Sequence, residues 1–154
     1  MYNLGISCYY HDSAAALLKD GIVVAAIEEE RFSRKKFDDD FPKLAIKWCL
    51  EEEGISPSDI NSVAFYDKPF LKFERLLDNY IAVAPRGLYS FLDTMPKWLH
   101  SRLWIKSEIK KALVGFRGEI IFPEHHISHA AHAFYTSQFE ESAILTIDGV
   151  GEWS

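Results

Sequence analysis

Residues 122–134 (FPEHHISHAAHAF) hold four of the chain's six histidines, at positions 125, 126, 129 and 132. A neutral imidazole nitrogen is a good metal donor near pH 7. On a helix, His125 and His129 stand at i and i+4 and point the same way, which is what two ligands on one metal require. His126 with His129, and Ser128 with His132, are further pairs in the same stretch. The same residues would also serve as a helix-start cap or as hydrogen-bonded surface groups. A zinc-protease motif does not fit, because it needs Glu directly after the first His, and His126 or Ile127 holds that place.

A second candidate closes the apolar run 142–147 (SAILTI): Asp148, Gly149, Val150 and Gly151. An Asp at the end of a strand can hold a metal, and glycines let backbone N–H groups approach a phosphate closely. A D-G-x-G alone is most often a turn. After the histidine stretch it gains weight, since two His and Asp148 make three ligands.

The elements that must position these residues follow from pattern. Met1–Cys8 reads as a strand, residues 9–13 as a loop with His11 and Asp12, and Ala14–Lys19 as a second strand. Asp20-Gly21 accepts the positive φ angles of a hairpin turn. Ile22–Ile27 reads as a third strand, buried on both faces. The charged run 28–36 (EEERFSRKK) is either a solvated connection or three carboxylates at a sheet's end, where α/β folds place sites. Pro42 starts a helix to about Glu53, which Gly54 ends. A fourth strand at Ile60–Tyr66 precedes an aromatic-rich region with helical segments at Phe70–Ala82 and Lys97–Leu113, read as an inserted helical lobe over about 68–116. Glu119–Phe122 is a fifth strand leading into the histidine helix, and Ser142–Ile147 a sixth.

Composition bounds the rest. A chain of 154 residues fits one domain with a real core. A net charge of −6 and a pI near 5.5 argue against a nucleic-acid surface. No apolar run approaches the length of a membrane span and the N-terminus lacks a secretory pattern, so a cytoplasmic protein is expected. Cys8 and Cys49 lack metal or redox spacing and read as buried free thiols.

A β-meander followed by crossover helices is the order of one half of an actin-like ATPase domain, the ribonuclease H-like fold. In that reading residues 1–141 are the first half. Residues 142–154 are the first strand and phosphate loop of a second half that the chain lacks. This is fold analogy and does not fix a reaction.

The motifs themselves resemble those of the O-carbamoyltransferases of nodulation factors and antibiotics: LGI at 4–6, HDSAAAL at 11–17, EEERFSRKK at 28–36, HHISHAA at 125–131 and DGVGE at 148–152. The resemblance implies an actin-like domain related to the threonylcarbamoyl-tRNA enzyme. It also implies a carboxy-terminal domain, or a separate partner chain, that makes carbamoyl-adenylate from ATP and carbamoyl phosphate. The carbamoyl group then passes to a small-molecule hydroxyl acceptor, a sugar or other secondary metabolite. By motif, His125, His129 and Asp148 resemble iron (Fe2+) ligands, with a fourth, another Asp, expected beyond Ser154. His11 resembles the general base on the acceptor hydroxyl, and Lys36 the contact to carbamoyl-adenylate. A threonylcarbamoyl-tRNA activity is the competing enzymatic reading, and its polyanionic substrate suits a charge of −6 poorly. A non-catalytic half-domain is the other alternative.

Overall fold

A computed structural model describes residues 1–149, which form two compact units. The first comprises Met1–Phe65 with Ile105–Ile121, and the second Tyr66–Trp104 with the chain from Phe122. The first unit holds β1 (Tyr2–Ser7), β2 (Ala14–Lys19), β3 (Ile22–Glu28), α1 (Glu30–Ser33) and α2 (Lys43–Glu53). It also holds β4 (Ile60–Phe65), while α3 (Pro69–Val83) and α4 (Leu88–His100) belong to the second unit. The chain then returns to the first with α5 (Ile105–Ala112) and β5 (Glu119–Ile121), and to the second with α6 (His125–Tyr135).

The sheet order is β3-β2-β1-β4-β5. β1, β2 and β3 pair antiparallel as a meander, and β4 and β5 add in parallel on the other side of β1. The expected hairpin turn forms: Asp20 and Gly21 both lie in the left-handed region, at φ 51° and 84°, which matches the twist of the flanking strands. α2 lies on β2 and β3 and buries Ala45, Ile46, Cys49 and Leu50. Burial of Ile46 or Leu50 contributes about 1.5–3 kcal/mol each. Gly54 ends α2 at φ 63°, its N–H donating to the Glu51 carbonyl. The Cys49 thiol, on the buried face of α2, is pushed up to about 11 by desolvation. Both cysteines are buried thiols, as expected, with no disulfide among the described residues.

Three expectations change. β3 is not buried on both faces: it is an edge strand, and Ile22 and Val23 are exposed. An unbroken apolar run shows that a strand forms but not which neighbour it lacks. The helix expected over 97–113 is broken at Ser101, where α4 ends. A short 3-10 turn follows at Arg102–Trp104 before α5 begins. The periodic apolar positions run across the break because Leu103 is buried in one unit and Ile105, Ile109 and Leu113 in the other. Ser142–Ile147 forms no strand here, and Leu145 and Ile147 are exposed. A strand needs a ladder partner for its N–H and C=O groups, and among the described residues this run has none in a sheet.

In the second unit, α3 and α4 pack around Trp98 and Met95, with the Phe73 and Trp98 rings 5.9 Å apart. Trp98 is core. Trp104 is exposed, its Nε1 donating to the Leu99 carbonyl at 2.7 Å.

Candidate functional site

α6 begins at His125, directly after Pro123 and Glu124, so the first histidine of the pair occupies the first helical turn and His129 the next. Helical spacing then does the rest: the two Nε2 atoms lie 3.1 Å apart, with the rings edge to face. Asp148 joins them. Its Oδ2 lies 2.6 Å from His125 Nε2 and 3.8 Å from His129 Nε2. A triangle with these three edges has a circumradius of about 1.9 Å, just under a metal–nitrogen bond of about 2.1 Å, so one cation can touch all three donors where they stand. Two imidazoles and one carboxylate suit a non-haem iron(II) site with open positions. The alternative pairings separate out. His126 Nε2 is buried and makes no hydrogen bond among the described residues, and the Ser128 hydroxyl is engaged elsewhere.

That engagement anchors the helix. Ser128 Oγ donates to the Tyr66 carbonyl at 2.7 Å, between the two histidines in sequence. The Tyr66 ring meets His125 edge-on at 5.9 Å. Lys72 lies 5.8 Å over the Tyr66 ring and pairs with the buried Asp67 at 2.9 Å. Lys68 ties Glu124, the residue before α6, at 3.0 Å. Gly149 has open space where a Cβ would stand. Gly151 lies outside the described residues.

His11 and Lys36 belong to the first unit, on two loops that are stapled together. Tyr9 N donates to the Asp39 carbonyl and Ser13 N to the Asp38 carbonyl, both at 2.7 Å, and the Ser13 hydroxyl reaches the Asp40 carbonyl. His11 Nδ1 lies 3.0 Å from Asp12 Oδ2. Lys36 is exposed, its ammonium 4.8 Å over the Phe37 ring. Asp38, Asp39 and Asp40 also gather their carboxylates, but Lys35 Nζ stands among them at 3.2, 3.8 and 3.3 Å, so the cluster is an ion-paired turn. The Ser33 hydroxyl, then the Asp40 amide and Lys35, hold the Asp38 carboxyl below the usual carboxylate range against its burial.

The three carboxylates that open the charged run 28–36 resolve into scaffolding. The buried Glu29 carboxylate accepts the amides of Leu44 and Ala45, Glu30 accepts the Phe37 amide at 3.0 Å, and Glu28 pairs with Arg31 at 3.3 Å. Glu29 was the residue pattern reading missed, although a signal existed. α2 starts after Pro42 with no side-chain cap of its own, so its first amides must find an acceptor elsewhere.

Comparison with known proteins covers nearly the whole chain. The family described as carbamoyltransferase N-terminus matches residues 2–154. The uncharacterised protein sll1178 of Synechocystis is 53% identical over 98% of this chain and 26% of its own length. The nodulation protein NolNO of Sinorhizobium fredii is 40% identical over 95% of this chain and 20% of its own. The uncharacterised protein MJ1051 of Methanocaldococcus jannaschii is 28% identical over 97% and 22%. The chain thus spans about a quarter of the length of the curated relatives it matches. The motifs from His11 through Asp148 all fall inside the matched span, and the chain belongs to the carbamoyltransferase N-terminal family.

Proposed function

We propose that this chain is the amino-terminal part of an O-carbamoyltransferase that moves a carbamoyl group from carbamoyl-adenylate to an acceptor hydroxyl. The donor would be made from ATP and carbamoyl phosphate by a carboxy-terminal domain or a partner chain. The observation that carries the reading is the convergence of His125, His129 and Asp148 at distances one cation can span.

In this reading those three residues hold Fe2+, which when bound supplies a Lewis acid for the carbonyl and phosphate oxygens. His11 takes the proton from the attacking hydroxyl, a task for a neutral imidazole. Lys36 offers an ammonium to the adenylate phosphate, and Gly149 and Gly151 offer backbone amides. The sheet order, with an antiparallel meander and two parallel strands, supports one half of an actin-like domain as the scaffold. No described helix is long and apolar enough to cross a membrane, which accords with the proposed cytoplasmic setting.

The test is anaerobic. The chain is titrated with Fe2+, and the complete polypeptide bearing it is assayed with carbamoyl phosphate, ATP and a hydroxyl acceptor. His125→Ala and His129→Ala should each remove metal binding and turnover together. Full turnover in both variants would overturn the reading.

A further inference from the structure

We infer that Asp12 is a positioning residue for His11, setting which imidazole nitrogen receives the acceptor's proton. This inference rests on the proposed role of His11 as general base. An ionised carboxylate is acceptor-only, so at 3.0 Å from Asp12 Oδ2 the Nδ1 of His11 must carry the proton. The neutral ring then presents its lone pair at Nε2. Without such a partner the tautomer is free to exchange, and the nitrogen facing a substrate is set by no residue.

The loop is built to hold this contact. Asp12 sits at φ 43°, a left-handed conformation that Asp tolerates better than most residues. Ser13, next in the chain, is fully buried and pinned by its N–H to the Asp38 carbonyl and by its hydroxyl to the Asp40 carbonyl. Glu29 N donates to the Ser13 carbonyl at 2.8 Å, tying the loop to the end of β3. Tyr9, at φ 70°, fixes the other side through the Asp39 carbonyl. The Tyr10 ring stands 4.8 Å from the imidazole. The His11 side chain is 65% exposed and that of Asp12 37%, so the imidazole is accessible to an incoming hydroxyl.

The acceptor O–H bond breaks and its proton goes to His11 Nε2. The oxygen forms the new bond to the carbamoyl carbon, and the C–O bond to the adenylate phosphate breaks with its electron pair leaving on AMP. The imidazolium so formed lies against the Asp12 carboxylate.

Tautomers are read directly by long-range 1H–15N spectra of the histidine-labelled chain at a pH where His11 is neutral. His11 should be protonated at Nδ1, and Asp12→Ala should return it to the Nε2–H form common for free imidazole. Asp12→Asn, which tolerates the left-handed backbone, controls for a loop that collapses. In the complete polypeptide, Asp12→Ala and Asp12→Asn should each lower kcat about tenfold to hundredfold with KM little changed, and Asp12→Glu should recover part of the loss. Nε2–H His11 in the unsubstituted chain, or unchanged kcat in both variants while His11→Ala is inactive, would overturn this inference alone. Full activity in His11→Ala would instead overturn the base role beneath it.

Discussion

The Glu29 carboxylate accepts the Ala45 amide at 2.7 Å and the Leu44 amide at 3.1 Å, capping α2 from the end of β3. The two residues are sixteen positions apart, and Glu29 is 5% exposed. A carboxylate on the first amides of a helix satisfies donors that have no intrahelical partner and meets the positive end of the helix dipole. Charge-assisted hydrogen bonds of this kind contribute about 1.5–3 kcal/mol. Glu29→Ala should therefore lower unfolding free energy by about 2–3 kcal/mol in urea titrations. Loss of under about 0.5 kcal/mol, the scale of an ordinary surface change, would remove the cap from the account.

Gly118 precedes β5, where a Cβ would collide with the Asn61 carbonyl oxygen and press on the Phe116 ring. The obstacle is backbone of the segment that pairs with β5, so it cannot swing aside. Gly118→Ala should destabilise by about 1–3 kcal/mol, the range for overpacking. Hydrogen exchange should show the loss first at Ile120 and Ile121. A thermal midpoint equal to that of the parent would contradict the close approach.

Ser128 orients the helix turn that carries the proposed ligand pair His125 and His129, through its 2.7 Å bond to the Tyr66 carbonyl. Outer partners that hold ligands typically account for about 10–100-fold in affinity. Ser128→Ala should weaken Fe2+ binding about tenfold, with far-ultraviolet circular dichroism unchanged. Equal affinity in the two proteins would make the bond purely structural.

Asp38 supplies a pH dependence of definite sign. Its carboxyl is held below the usual range when folded, so the folded state binds this proton less readily than the unfolded state. The stabilisation is fully present above the unfolded value of about 3.9 and is lost as pH falls through the folded value. The stability gap between the protein and Asp38→Asn should hold from pH 7 to about 5, then close below about pH 4. A gap unchanged down to pH 2.5 would show that Asp38 is not held in this way.

Local pattern was enough for the meander, the Asp20-Gly21 turn, α2 with its Gly54 end, and the histidine helix beginning near His125. Each depends on spacing or turn chemistry within a few residues. The facing of His125 and His129 also belongs to the sequence, because i and i+4 share a helix face wherever the helix lies. What only the tertiary structure decided involves partners distant along the chain. A carboxylate in a charged run reads alike whether it is solvated or, like Glu29, buried on the amides of another element. The apolar runs of β3 and 142–147 carry strand propensity, but one became an exposed edge and the other pairs with no strand among the described residues, since a ladder needs a neighbour that propensity cannot supply. Asp148 lies nineteen positions beyond His129, and only the path of the intervening chain brings its Oδ2 to within 3.8 Å of that ring.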